Sequence, residues 1–172
     1  MERLYSPWRS KYIETFKDAS VKDEGCIFCS ALENHNDQER LIIYRGKLAF
    51  VIMNLYPYNS GHMMIVPNRH TADFASLSAP ELAECTSLLQ TAQKALIELS
   101  HPHGYNIGMN LGKAGGAGID DHLHWHIVPR WNGDTNFMPV IADIKMVSED
   151  MDHQWEQLQK YFSEHAVSLR GG

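Results

Sequence analysis

The sequence predicts an α+β domain in which an antiparallel sheet of about five short strands carries one long helix and a C-terminal helix. Short apolar runs separated by Gly, Asn and Pro residues are typical of such strands. Residues 79–99 carry apolar side chains at helical spacing, and residues 150–165 repeat that spacing near the end of the chain. Helices collected outside the strand runs favour the α+β class.

Length and composition predict one domain with an ordinary core. The chain has 172 residues, of which 44% are hydrophobic and 21% charged. Its net charge is −6, which disfavours binding to nucleic acid or to an acidic membrane surface, since both need a basic face. No apolar run approaches the roughly 20 residues of a membrane span, and no signal peptide is readable. We therefore expect a cytoplasmic protein.

The first half of the chain predicts three strands. Residues 41–44 and 48–53 are rich in β-branched and aromatic residues and are joined by a short turn, which indicates a hairpin. A third strand is expected at 62–66, ending at Pro67. Residues 25–29 are expected to form a tight turn. The aromatic segment before them predicts an arm or short helix, for which another subunit is one packing partner.

The second half predicts a helix, two strands and a helix. Ser78 and Glu81 form a capping box at the start of helix 79–99. Strands are expected at 105–111 and at 122–128, the second ended by Pro129. The apolar stripe of the long helix comprises Leu82, Cys85, Leu89, Ala92, Leu96 and Leu99, and that of the last helix Trp155, Leu158 and Phe162.

Three of the ten histidines fall within five residues, at His122, His124 and His126. On a strand, alternate side chains point to opposite faces, so all three would lie opposite Leu123, Trp125 and Ile127. The apolar set would supply core, and the histidine set would line a surface or cleft. Solvated or core histidines are the ordinary explanation for one residue, but three in a row beside a glycine loop indicate a site.

Two kinds of chemistry suit these histidines. One zinc held by all three is excluded on an extended strand, because positions 122 and 126 are about 13 Å apart whereas Zn–N bonds are about 2.0–2.1 Å. Two of them with a ligand from elsewhere would still allow a zinc hydrolase. The other possibility is nucleophilic catalysis by a neutral imidazole, which can attack phosphorus at neutral pH.

The pair Cys26 and Cys29 has the spacing of zinc ligands, but one pair is half a site. A redox pair normally opens a helix within a βαβ unit, and none is visible here. Two buried thiols without metal are the third explanation. The third cysteine, Cys85, belongs to the helix stripe and is expected in the core.

Four glycines within residues 112–118 form a loop just before the histidines. Their backbone N–H groups would cradle a phosphate, with Lys113 adding charge, or the loop is only a flexible connection. Asp120 and Asp121 could act as acids, accept a hydrogen bond from a histidine N–H, or simply be solvated loop residues. His62 opens a strand after a turn glycine, and a structural hydrogen bond is expected of it.

The segment His-Leu-His-Trp-His-Ile-Val at 122–128 resembles the signature of the histidine triad (HIT) nucleotide hydrolases and transferases. The likeness extends to residues 61–70, which resemble the family's Gly-His block, to Asn54, and to residues 110–112; it covers about 26–130. It implies a HIT-like sheet and a domain spanning the whole chain, 1–172. Within it we divide an N-terminal arm (1–20), a HIT core (21–135) and a C-terminal extension (136–172).

The resemblance implies roles for individual residues. His124 matches the nucleophile that forms a nucleotidyl-histidine, and His126 the residue that contacts the phosphate and leaving group. Asn54 matches a ribose contact, and we expect the base to lie against the strand region from Phe50 to Asn54. Asn110 joins the predicted catalytic set. The loop residues expected to bind the nucleotide are Gly112, Lys113, Gly116 and Gly118, and the ligands of a structural zinc in zinc-bearing relatives match Cys26, Cys29, His70 and His122.

The chain departs from many HIT proteins at residues 117–121, where it lacks their Gln-bearing segment, so its phosphate contacts must be rebuilt. That stretch, the N-terminal arm and residues 129–137 most resemble a bacterial subgroup associated with diadenosine tetraphosphate phosphorolysis. The implied reaction is cleavage of a (di)nucleoside polyphosphate, with orthophosphate or water as acceptor. The alternatives are a Hint-like nucleoside phosphoramidate hydrolase and a non-catalytic nucleotide-binding regulatory protein. A homodimer or higher homo-oligomer is expected by resemblance.

Overall fold

The predicted α+β architecture is confirmed. A computed structural model describes residues 25–134 and 150–166, and within them a five-stranded antiparallel sheet carries one long and two shorter helices. The predicted arm and residues 135–149 of the extension lie outside the described residues. The elements in chain order are α1 (Ile27–Glu33), β1 (Ile42–Arg45), β2 (Ala49–Met53), β3 (Met63–Pro67), α2 (Ala79–Ser100), β4 (Gly104–Gly108), β5 (Trp125–Arg130) and α3 (Met151–His165).

The strand order is β1-β2-β3-β5-β4, so β5 lies between β3 and the edge strand β4. The predicted hairpin of β1 and β2 is present, with Ile42 opposite Ile52. Met64 of β3 and Gly108 of β4 both lie opposite His126. The order therefore places the end of the histidine segment inside the sheet, on the fourth of five strands, with a strand on either side.

Helix α2 begins where the capping box predicts. Ser78 accepts a hydrogen bond from the Glu81 N–H while Glu81 accepts one from the Ser78 N–H. The apolar face packs on the sheet, and Cys85 is buried in the core, as expected. The prediction that Leu99 belongs to the buried stripe is wrong, because Leu96 is the last buried residue of the helix and Leu99 is exposed. The buried apolar residues of α2 are Cys85, Leu88, Ala92, Ala95 and Leu96.

Helix α3 packs against β1 and α2. Leu158 and Phe162 are buried, and the indole N–H of Trp155 donates to the carbonyl of Ile42, which joins the helix to the first strand. The predicted apolar face of this helix is therefore correct. Within the described ranges, no helix combines the length and apolarity that crossing a bilayer requires.

Three local predictions are wrong. Residues 27–33 form α1 in place of a tight turn, with Cys26 at its N-cap. Strand β4 ends at Gly108, three residues earlier than expected. Strand β5 begins at Trp125 and continues through Pro129, because the last pairing with β3 is at Ile127 and so no ladder partner is needed on that side of the proline.

Candidate active site and metal centre

The histidine segment divides into two sites. The ring of His122 turns toward α1 and the loop after β3, whereas His124 and His126 stay together, with ring centroids 4.9 Å apart. His122 and His124 are buried, and only His126 lines the neighbouring cavity. The expectation that all three line one surface is therefore wrong, because residues 122–124 precede the regular strand and need not alternate.

The first site gathers Cys26, Cys29, His70 and His122. One nitrogen or sulfur from each lies within 4.8 Å of the others. The His122 Nδ1 is 3.2 Å from the Cys26 Sγ and 3.3 Å from the His70 Nδ1, and the Cys29 Sγ is 3.4 Å from that same His70 atom. A tetrahedral zinc with ordinary Zn–S and Zn–N bonds separates its ligand atoms by about 3.3–3.8 Å. The geometry therefore fits a closed Cys₂His₂ zinc centre.

Hydrogen bonding and charge support that fit. The His122 Nε2 lies 2.9 Å from the carbonyl oxygen of Pro67, which can only accept, so this nitrogen carries the proton and Nδ1 presents its lone pair to the cluster. Burial and the neighbouring Cys26 raise the pKa of Cys29 to about 11. A bound cation would relieve the repulsion between two thiolates.

Two side chains, Arg45 and Phe28, hold helix α1 and its cysteines in place. Arg45 at the end of β1 donates to the carbonyls of Leu32 and Asn34 at the C-terminal end of α1, and it pairs with Asp37 at 2.8 Å. Phe28, between the two cysteines, is buried against the rings of His122 and His124, at centroid distances of 5.5 and 5.1 Å. The short helix is thereby fixed at both ends.

The second site begins with His124, whose Nδ1 lies 2.9 Å from the carbonyl oxygen of His122. Because a carbonyl accepts, Nδ1 carries the proton and Nε2 keeps its lone pair. The side chain is 5% exposed, and burial lowers the pKa of His124. A neutral imidazole with one free, fixed nitrogen is the form that a nucleophilic histidine requires.

His126 is oriented by His62, for which the sequence predicts only a structural hydrogen bond. The Tyr58 N–H donates to the His62 Nδ1 at 3.1 Å, so the protonated nitrogen of neutral His62 is Nε2, and this atom lies 2.9 Å from the His126 Nδ1. The remaining nitrogen of His126, Nε2, then carries a proton. Burial lowers the pKa of His126 to about 4, so the ring is a neutral donor at pH 7. The expected structural hydrogen bond of His62 exists, and it aligns a triad histidine.

The amides predicted around the site are near it. The Asn54 Nδ2 lies 3.5 Å from the His62 Nε2, and the Asn110 Nδ2 donates to the Gly116 carbonyl at 3.4 Å. Asn110 also lines a cavity of about 320 Å³ that opens beside His126. Other residues of its lining are Tyr58, Asn59, Asn106 and Arg130, none of which the sequence analysis assigned to the site. The family's Gly-His block pointed to His62, but no local pattern pointed to Tyr58.

Two predicted nucleotide contacts do not fit. Phe50 has no exposed surface, because β2 is buried on both faces, so it offers nothing to a base. The N–H of Gly116 already donates to the Lys113 carbonyl in a tight turn, so it is not available to a phosphate in this conformation. Lys113 is exposed and lies 3.9 Å from Asp120. Gly112 and Gly118 are exposed on the same loop and stay predictions.

Comparison with known proteins agrees with this geometry. A profile of the HIT domain matches residues 35–133, more than half of the chain. A relative from Mycobacterium tuberculosis, named AP-4-A phosphorylase, is 37% identical over 155 residues, which cover 87% of this chain and 78% of that protein. The chain belongs to the HIT family. The predicted resemblance, including its likeness to AP-4-A phosphorylases, is thereby confirmed.

Solved HIT structures share the fold. A zinc-bound histidine triad protein from Mycobacterium smegmatis superimposes with a TM-score of 0.65 at 25% identity, covering 84% of this chain and 97% of that one. A histidine triad nucleotide-binding protein from Sulfolobus tokodaii gives 0.63 at 26% identity, covering 84% and 94%. The zinc-bound neighbour agrees with the four-ligand cluster of this HIT protein, and the family supports its prediction as an enzyme acting on nucleotides.

Proposed function

We propose that this HIT protein cleaves the phosphoanhydride of dinucleoside polyphosphates through a nucleotidyl-histidine, with diadenosine tetraphosphate as its substrate. One observation carries the proposal: the His122 carbonyl holds the Nδ1 proton of buried His124, which leaves Nε2 as a nucleophile. The relative named AP-4-A phosphorylase supports the substrate class.

In the first step, the His124 Nε2 attacks the α-phosphorus in line. A N–P bond forms, and the bond from phosphorus to the bridging oxygen breaks, with its electron pair leaving on that oxygen as ATP. The His126 Nε2–H donates a hydrogen bond to the developing charge on that oxygen, and His62 keeps this donor aligned. The product on the enzyme is adenylyl-His124.

In the second step an acceptor attacks the adenylyl phosphorus, and the N–P bond breaks with its electrons returning to Nε2. Orthophosphate yields ADP, whereas water yields AMP. Asn54 at the end of β2 contacts the ribose, and Asn110 with the glycine loop supports the phosphate. We favour orthophosphate as the acceptor because of the named relative, and the products decide between the two.

The Cys26, Cys29, His70 and His122 cluster would hold a structural zinc. All four positions of a tetrahedron would be filled by protein atoms, so the ion would stabilise the fold without an open coordination position for substrate. This arrangement disfavours the zinc-hydrolase alternative. Zinc would also keep His122 in place, and the carbonyl of that residue orients His124.

The deciding experiment incubates the protein with diadenosine tetraphosphate labelled in the adenylyl group and quenches it with acid. Labelled protein in wild type but not in His124→Ala, with ADP formed only when orthophosphate is present, supports the proposal. AMP formed both with and without orthophosphate indicates a hydrolase. Absence of labelled protein and of turnover indicates a nucleotide-binding regulatory protein. Much faster cleavage of adenosine phosphoramidate than of the dinucleotide would favour the Hint-like alternative.

We also propose a cytoplasmic homodimer, paired through β4. Among the described residues this strand is at the end of the sheet order and pairs only with β5, and Leu111 just after it is about half exposed. A strand edge beside an exposed apolar side chain is a ready pairing surface. Light scattering should report twice the chain mass, and Leu111→Lys should lower it; a monomeric wild type would contradict the proposal.

A further inference from the structure

The cavity beside His126 lies on the side away from the nucleophile. Its walls run from His126 to Arg130 along β5, a Cα separation of about 13 Å on an extended strand. His124 is not part of this lining, and its ring lies next to that of His126, 4.9 Å between centroids. The order along the segment is therefore nucleophile, hydrogen-bond donor, cavity.

This order matters because the reaction is an in-line displacement. The attacking nitrogen, the phosphorus and the leaving oxygen lie roughly on one line, so the leaving group extends away from the nucleophile. With the phosphorus held between His124 and His126, the part of the substrate beyond the scissile bond points toward the cavity. Asn110, which the proposed function places at the phosphate, also lines the cavity, so the cavity adjoins the reacting phosphate.

We propose that this cavity binds the leaving nucleotide of the reaction, with Tyr58 as the surface on which its base stacks. The inference rests on the proposed function and extends it to the second half of the substrate. A volume of about 320 Å³ is within the range of small-molecule sites, although at its lower end. Transfer of the adenylyl group to His124 does not by itself need a stacking surface at Tyr58.

Tyr58 has the exposure and the rigidity that stacking needs. Its side chain is 53% exposed, and its ring packs on His62 and His126 with centroid distances of 4.8 and 6.1 Å. Its N–H is bonded to the His62 Nδ1, so the residue is held by both backbone and ring. Aromatic side chains bind bases through stacking because every base has a π-face.

The far end of the cavity is polar and close to neutral in charge. Arg130 bonds to Asp134 through two nitrogens, at 2.6 and 2.8 Å, and to the Asn106 Oδ1 at 2.7 Å. Asn59 donates to the same carboxylate at 2.7 Å. Because Asp134 balances the guanidinium, this end suits the hydroxyls and amine edges of a nucleoside better than a free orthophosphate, which would need uncompensated positive charge.

The test compares two substrates that donate the same adenylyl group. Diadenosine tetraphosphate releases ATP, whereas adenosine 5′-phosphorofluoridate releases fluoride and leaves the cavity empty. Tyr58→Ala should lower kcat/KM for the dinucleotide about tenfold or more, mainly through KM, and change the phosphorofluoridate less than twofold. Tyr58→Phe, which keeps the ring, should restore the ratio of the two substrates.

Tyr56→Ala is the matched control, since Tyr56 belongs to the same segment and is 57% exposed but does not line the cavity. Its substrate ratio should equal that of wild type. An equal loss on both substrates in Tyr58→Ala would overturn the leaving-group assignment while adenylyl-His124 still formed, so the proposed function would survive. No adenylyl-protein from either substrate in wild type would overturn both.

Discussion

Two positions of one five-residue segment, His122 and His124, make opposite nitrogens of the same side chain available. His122 turns Nδ1 toward two cysteines and a histidine, whereas His124 keeps the lone pair of Nε2, the proposed nucleophile. The difference arises from the hydrogen-bond acceptor, because the Pro67 carbonyl takes the Nε2 proton of His122 whereas the His122 carbonyl takes the Nδ1 proton of His124. The backbone around a histidine thus decides which nitrogen is available.

The largest expected effect is the loss of activity when His124, the proposed nucleophile, is replaced. His124→Asn should lower turnover at least about 1,000-fold, because it removes the nitrogen that forms the N–P bond in the proposed mechanism, while zinc content stays near that of wild type. His122→Asn should instead lose the metal. Turnover assays and elemental analysis measure both. If folded His124→Asn kept its activity or lost its zinc, the separate roles proposed for His122 and His124 would be contradicted.

Removal of the metal is expected to have the next largest effect, and on stability first. Cys29→Ala breaks the four-ligand set and should lose zinc, lowering Tm by roughly 5–15 °C if the site contributes a few kcal/mol. Cys85→Ala is the matched control, since this cysteine is buried in the core away from the cluster and should keep its zinc. Full metal content in Cys29→Ala would contradict the proposed ligand set.

A smaller effect is expected at His62. His62→Ala removes the partner of the His126 Nδ1 and should lower kcat about 10- to 100-fold, the size of loss expected when an outer partner that orients an active side chain is removed. Zinc content and adenylyl labelling at long times should be unchanged, which separates this residue from the metal end. His153→Ala on the exposed face of α3 is the control. Wild-type kcat in His62→Ala would show that His126 is oriented without it.

The smallest predicted effect is the pH response. Burial lowers the pKa values of His124 and His126, the latter to about 4, so both rings stay neutral below the ordinary histidine value of 6.5. As pH falls between 6.5 and 4 the unfolded chain binds protons that the folded site does not, so stability is full above 6.5 and declines through this window. The acid limb of kcat/KM should accordingly lie below pH 6.5; a limb at or above 6.5 would contradict it.

Local chemistry made much of the site predictable from sequence. The zinc-ligand spacing of Cys26 and Cys29 and the capping box at Ser78 each depend on residues close along the chain, and each appears as expected. The fold class followed from strand and helix periodicity. These features are visible because their physical cause is contained within a few residues.

The errors occur where the cause lies in distant contacts. Phe50 belongs to a strand covered on both faces, and a run of apolar residues does not tell which face a ligand would meet. The alternation of apolar residues and histidines predicts a strand at His122. In the structure its carbonyl accepts from the His124 ring and its own ring donates to the Pro67 carbonyl, and strand pairing begins only after it. Tyr58 reaches the site only because β3 brings its preceding loop beside β5.

The carbonyl of His122 also has a consequence for how this segment can vary. It belongs to a peptide bond, so no side-chain substitution deletes the acceptor that orients His124. An inserted or removed residue between positions 122 and 124, by contrast, would displace the proposed metal ligand and the proposed nucleophile together. The number of residues between positions 122 and 124 is therefore strictly constrained, and an inserted residue there should abolish both metal binding and activity.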